Sequence, residues 1–356
     1  MRRGCLPALL LALTLLLGGC ADEYVSVTPH TEPEETPAAQ NVVTAENYVS
    51  LRNAVLSFVE DSVSEGIIHI YDYSGDVEED AQNAVYEVSR EDPLGAYAVE
   101  SMTHQCTWIV SYYEIRVQIE FRRTPEQIAA VERVASMSVL RERLAEAMEQ
   151  GQESLTVRLS YDSGDDLVEM ARACYRERPA EILEMPEITV SRYPQQGGYV
   201  RIVEILMTFE HTPEELQSRQ EAVATSANAA SEYVRYRETE TGKLQLLYTY
   251  LLERFLYEPG TSSTPAYAFL CEGIASSEGA ARSLQILCDE MELECYTVEG
   301  TLNGAPYVWN IVCVDGVYCH VDLYRTLLDG SESLPLLLDG AMTGYQWDTE
   351  AFPACV

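Results

Sequence analysis

Positive charge is scarce in this chain: 23 Lys and Arg stand against 58 Asp and Glu, a formal net charge of −35 over 356 residues. So acidic a surface repels phosphate backbones and anionic head groups, which excludes nucleic acid and acidic lipid as partners. Histidine is scarcer still, with five residues, and no CxxC pair occurs, so a zinc site is not expected. Carboxylates are plentiful, but none take the spacing of an EF-hand loop, which leaves calcium without a recognisable ligand set. No metal and no cofactor are therefore expected. Long apolar runs are also missing. The run over residues 6–17 falls short of the roughly 20 residues a spanning helix needs.

That short run is informative through its flanks. Arg2-Arg3 precede it and Gly18-Gly19-Cys20 follow, the layout of a secretory signal peptide over residues 1–19. Leu17-Gly18-Gly19-Cys20 resembles a bacterial lipobox, which implies cleavage before Cys20 and lipid on its thiol. The expected location is the outer face of the bacterial cytoplasmic membrane, in the cell envelope, held by the N-terminal lipid. Residues 20–44 are rich in Pro, Thr, Glu and Ala without apolar periodicity, and are expected to form a disordered acidic tether. An exported compartment permits disulfides among the eight cysteines beyond Cys20, although sequence leaves their connectivity open.

Residues 45–125 and 126–213 read as a duplicated α+β domain. Tyr71-Asp72 and Tyr161-Asp162 each precede a helix, starting near Asp76 and Asp166; Phe121-Arg122-Arg123-Thr124-Pro125-Glu126 is answered by Phe209-Glu210-His211-Thr212-Pro213-Glu214. Each copy is expected to run helix, strand, helix, then two strands. Asp76 with Glu79 and Asp166 with Glu169 have capping-box spacing. Ile115, Val117, Ile119 and Phe121 alternate with charged residues, so that strand has one inward face. In the second copy Val203, Ile205, Met207 and Phe209 point inward, while Ile202 and Leu206 call for a second cover. His69, His104 and His211 are isolated and read as structural. The chain's 23 tyrosines are read as core or interface residues, with a sugar- or peptide-binding surface as the alternative.

Residues 214–241 read as a connecting helix broken by Gly242. The C-terminal domain, 242–356, then opens on an amphipathic helix marked by Leu244, Leu247, Tyr248, Leu251, Leu252 and Phe255. Ala280, Leu284, Leu287, Cys288 and Met291 give a second helix, opened by a glycine-punctuated loop over 272–279. Residues 307–322 read as a β-hairpin turning at Asp315-Gly316. Val314 should pair with Val317 and Trp309 with Asp322, which puts Tyr307, Trp309, His320 and Asp322 on one face. Cys313 and Cys319 then point to opposite faces. Residues 334–338 and 345–347 should add a strand and cover.

A loop-to-helix junction facing a hairpin with Trp309-Asn310, Asp315-Gly316 and His320-Val321-Asp322 resembles the transglutaminase-like, papain-related superfamily, over residues 242–330. The resemblance implies a papain-like fold in which a cysteine starts the helix, a histidine lies on the first hairpin strand and an aspartate ends the second. Ser277 stands at the cysteine position and Tyr307 at the histidine position; Asp322 alone is retained. A serine hydroxyl needs a neighbouring base to become a nucleophile, and a phenol protonated at neutral pH is not one. The expectation is therefore a pseudoenzyme with no catalytic residue. It would bind a peptide, protein or cell-wall ligand in a cleft lined by Trp309, Asn310 and His320. The alternative is a hydrolase or acyltransferase using Ser277 with His320 and Asp322. The overall fold class is α+β.

Overall fold

The computed structural model describes residues 41–356; the expected signal peptide, Cys20 and the tether up to residue 40 lie outside the described residues. The chain is α+β. Its first module runs β1 (Val42–Ala45), α1 (Tyr48–Glu60), β2 (Glu65–Ile70), α2 (Val77–Tyr86), α3 (Pro93–Ala98), β3 (Val99–Ile109) and β4 (Tyr112–Phe121). The second runs α4 (Pro125–Ala129), β5 (Glu132–Val134), α5 (Met137–Glu149), β6 (Ser154–Leu159), α6 (Leu167–Glu177), β7 (Glu187–Tyr193) and β8 (Arg201–Thr208). The sheets have matching orders, β1-β2-β4-β3 and β5-β6-β8-β7.

Each sheet has a strand more than the sequence pattern predicts. β1 and β5 are only four and three residues long, too short to alternate legibly. β1 also cuts the expected tether short by three residues: Val42–Ala45 is a strand, so residues 42–44 are not a disordered segment.

Asp76 and Asp166 cap α2 and α6 by accepting from the two following turn amides. The return bonds from Glu79 and Glu169 are not made. Reciprocal capping boxes form instead at Thr124 with Gln127 and Thr212 with Glu215, where Pro at the first helical position fixes the entry angle.

The inward residues of β4 and β8 are buried: Ile115, Val117, Ile119, Val203, Ile205 and Met207. The far face of β8 is covered in part. Ile202 joins the first module's core beside Tyr193, and Glu204 is buried against the Arg123 guanidinium at 2.7 Å. Leu206, expected under the same cover, remains exposed.

The C-terminal region comprises α7 (Pro213–Val234), α8 (Glu240–Arg254), the two-residue strands β9 (Glu258–Pro259) and β10 (Ile274–Ala275), a single turn α9 (Pro265–Tyr267), and α10 (Ser277–Glu290). It continues with β11 (Cys295–Leu302), β12 (Ala305–Val314), β13 (Val317–Val321), α11 (Leu323–Leu328) and β14 (Tyr345–Gln346). The sheet order is β13-β12-β11-β14. Gly242 does not break a helix. The break falls at residues 235–239, and Gly242 sits in the first turn of α8, its N–H donating to the Thr239 cap. A glycine in that turn costs little, because its amide has no partner within the helix and a side-chain acceptor supplies one.

Leu244, Leu247, Tyr248 and Leu251 of α8 pack with Leu284, Leu287 and Cys288 of α10 and with Val312 and Val321 of the hairpin in one core. Leu183, from the loop after α6, joins it. Arg282 fixes that junction. Fully buried on α10, it donates to the carbonyls of Tyr175 and Ile182, at 2.7 Å each, and stacks 3.5 Å from the Tyr175 ring centroid. Burial pulls its pKa down from the usual arginine value.

Candidate functional site

The hairpin forms in the expected register. Val314 pairs with Val317 and Asn310 with Val321, and Asp315 and Gly316 both take positive φ, 51° and 82°, as a two-residue turn requires. The Asp315 carboxylate accepts from the Glu240 and Thr241 amides and the Thr241 hydroxyl, so the turn also holds the start of α8. These hydrogen bonds, the Thr241 hydroxyl foremost, keep its pKa below the ordinary carboxylate value.

At the start of α10 the two serines divide their roles. Ser276 is the cap, accepting from Gly279 N–H at 2.9 Å. Ser277 is the first helical residue, and its hydroxyl makes no side-chain hydrogen bond among the described residues.

Asp322 is 7% exposed and heavily solicited. The Tyr307 hydroxyl donates to its two oxygens at 3.1 and 3.0 Å, Tyr345 donates to Oδ2 at 2.6 Å, and the Arg325 amide donates to Oδ1 at 3.0 Å, which makes Asp322 the cap of α11. Burial, followed by the charge of Asp322, pushes the Tyr307 phenol far above its ordinary value of 10.0; burial also pushes Tyr345 up to about 12. Both are donors across the physiological range. A phenol so held cannot take a proton from Ser277 at neutral pH.

Gly300 makes this arrangement possible. A Cβ there would sit 2.3 Å from the Gln346 carbonyl and 2.8 Å from the Trp309 ring. Without one, β14 closes on β11, pairing Leu302 with Tyr345, and brings the Tyr345 hydroxyl to Asp322.

His320 shares the predicted face but serves another partnership. Fully buried, it accepts from the Trp309 indole N–H on Nδ1 at 2.9 Å, and its Nε2 meets Asp339 Oδ1 at 2.9 Å. The indole is a donor only, so the proton of the neutral ring sits on Nε2, directed at Asp339. Burial lowers the His320 pKa below its usual 6.5. The Ser277–His320–Asp322 arrangement is therefore not formed: both imidazole nitrogens are engaged, neither with Ser277 nor with Asp322. Trp309, Asn310 and His320, expected to line a cleft, are at most 1% exposed and belong to the interior. Asn310 faces α10, its Nδ2 donating to the Ala281 carbonyl at 3.0 Å, while its Oδ1 is buried without a partner.

His320, Asp339 and Cys355 bring three potential ligand atoms within 4.8 Å of one another. The fit to a cation is poor. With Nδ1 accepting from Trp309, a metal on Nε2 would demand an imidazolate, or displacement of the indole, whereas a ligating histidine ordinarily donates through its other nitrogen. Burial also pushes the Cys355 thiol up to about 12, away from the thiolate a metal needs. The same facts argue against Cys355 as a nucleophile. All eight described cysteines are free. His69 and His211 pair with Glu114 and Glu184, at 3.6 and 2.7 Å.

Tyr345 and Asp339 are the site residues that the sequence left unassigned. Asn303-Gly304, a second two-residue turn with positive φ at both positions, was the available signal for β11, and β11 is what β14 and Tyr345 pair with.

Comparison of the sequence with protein families finds no match, and comparison with curated proteins finds none. Among solved structures, one described as the crystal structure of a TGase is similar at 11% identity and a TM-score of 0.25, over 63% of this chain. The chain spans 64% of that structure's length. At that level of similarity neither fold nor activity carries over.

Proposed function

We propose that this is a non-catalytic protein of the bacterial cell envelope, lipid-anchored through Cys20, whose C-terminal domain is a transglutaminase-like scaffold without nucleophile or base. The observation that carries the proposal is the Tyr307 phenol bonded to both oxygens of Asp322, with no side-chain hydrogen bond to the Ser277 hydroxyl among the described residues. The two tandem modules act as a spacer and the C-terminal domain as a binding element for a peptide, protein or cell-wall component. Because Trp309, Asn310 and His320 are interior, the ligand would meet the partly exposed Tyr307, Tyr324 and Tyr345 and would not enter a deep cleft.

The test is enzymatic and chemical. The purified chain, offered amine-donor, peptide and ester substrates, should give no turnover that Ser277→Ala abolishes; turnover lost in that variant would sink the proposal. The double change Ser277→Cys with Tyr307→His restores the superfamily's residues. If the scaffold is intact, the introduced thiol should alkylate faster than the native cysteines, since a helix start and an imidazolium both favour thiolate. Labile iodoacetamide labelling confined to other positions would count against a transglutaminase-like geometry.

A further inference from the structure

Two thiols meet where α10 hands the chain to β11. Cys288 lies buried in the last turn of α10, and Cys295 is the first residue of β11. The connection between them is tight. The Cys288 carbonyl accepts from the Met291 and Leu293 amides at 3.0 and 2.9 Å, and Glu292 turns the chain back with a φ of 57°. Alternation along β11 puts Cys295 on the face that carries Thr297, whose hydroxyl donates to Gln285 of α10 at 2.6 Å. Cys288 lies three residues beyond Gln285, on the same side of the helix. Asn310 ties down the register: the cross-strand neighbour of Thr297, it donates to the Ala281 carbonyl at 3.0 Å and to Cys295 Sγ at 3.5 Å. Both cysteines therefore pack in one core. Other cysteines are kept apart: Cys106 and Cys174 belong to the separate cores of the first and second modules, and Cys319 and Cys355 to the cores on the two faces of the C-terminal sheet.

We infer that Cys288 and Cys295 are a bridge site: under oxidising conditions they join as a disulfide that staples the end of α10 to the start of β11. Both are thiols in the structure. In forming the bridge they give up two protons and two electrons. The oxidant is itself a disulfide, such as oxidised glutathione, whose S–S bond is cleaved to two thiols as the new one forms. Burial, then the neighbouring Cys288 thiol, pushes the Cys295 thiol well above its ordinary value, which disfavours the attacking thiolate in the finished fold. The bridge therefore belongs to the folding chain, before both sulfurs are covered. An exported location would supply the oxidising setting, but the pairing follows from the fold and is tested without it.

The full chain is unfolded in reducing denaturant, refolded in a mixture of reduced and oxidised glutathione, alkylated with N-ethylmaleimide and cleaved after glutamate. Glu290, Glu292 and Glu294 lie between the two cysteines, so their peptides stay together only through a disulfide. Mass spectrometry should recover the linked pair from most of the refolded chain, and dithiothreitol should separate it. The bridged chain should also melt about 4 °C or more above the same sample after reduction, a gap that Cys295→Ala should close. Mapping the chain purified from the periplasm of an expression host reads the same pairing without a refolding step. Both cysteines recovered alkylated after oxidation, or either one linked to a different cysteine, overturns the inference. So does a linked pair confined to misfolded material on gel filtration, since the native fold would then hold the two sulfurs apart.

Discussion

Two carboxylates in the C-terminal domain, Asp322 and Asp339, are held in opposite ways. Asp322 is bound by two phenols and an amide, groups that keep their protons until strongly alkaline pH. Asp339 faces a buried imidazole and accepts the Cys355 amide at 3.3 Å, so its principal partner changes charge below the usual imidazole value of 6.5. The first carboxylate fixes a geometry. The second lies at a seam between β13 and the C-terminal segment, where Leu337 and His320 also exchange backbone hydrogen bonds. The position that looks like chemistry in the sequence holds a phenol–carboxylate contact, and the titratable imidazole faces the cover over it.

The largest effect expected from breaking this contrast is on stability. Asp322→Ala strands two phenols and uncaps α11, and should cost about 3 kcal/mol or more in urea unfolding, as loss of several bonds to one charged acceptor implies. Loss below about 1 kcal/mol would mean that the three donors find water instead. Next is the alkaline limb. Folding raises the Tyr307 and Tyr345 pKa values above the ordinary 10.0. Their stabilising contribution is therefore complete below pH 10 and is lost as pH rises through about 12 and beyond. Tyr307→Phe should flatten that limb and cost about 1 kcal/mol at neutral pH.

The acid limb should be smaller and specific to the other carboxylate. The folded pKa of His320 lies below its usual 6.5, so stability is full above that value and declines as pH falls from 6.5 toward the folded pKa. Protonation of Nδ1 also removes the acceptor of the Trp309 indole, so tryptophan fluorescence should change across the same window. His320→Gln should remove that spectral step; a step that survives belongs to another group. Smallest is Ser277→Ala, expected to shift stability by no more than about 0.5 kcal/mol, because the Ser276 hydroxyl carries the cap.

What the sequence disclosed follows from what is local. Asp315-Gly316 fixed the turn, the turn fixed the register, and alternation then put Tyr307, Trp309, His320 and Asp322 on one face. Partners supplied from a distance were illegible. Tyr345 reaches Asp322 only because Gly300 lets a two-residue strand close over Trp309, and Asp339 reaches His320 through a segment with little periodicity. Burial was missed for the same reason: Trp309 and His320 read as cleft residues until Trp347, packed 5.8 and 4.8 Å from their rings, is seen beneath the C-terminal cover. The helix break was misplaced because a glycine was weighed by its propensity alone, without the Thr239 cap that accommodates it.

Arg282 bears on how the molecule can be divided. The guanidinium of α10 is anchored on carbonyls from residues 175 and 182, a hundred or more positions upstream, so a cut at the boundary read at Gly242 would part groups that are packed together. A C-terminal fragment cut there would lose both acceptors and the Tyr175 ring, and would expose an apolar surface shaped for Leu183. Attempts to express it alone should yield aggregation-prone material, while fragments that keep the second module should remain soluble.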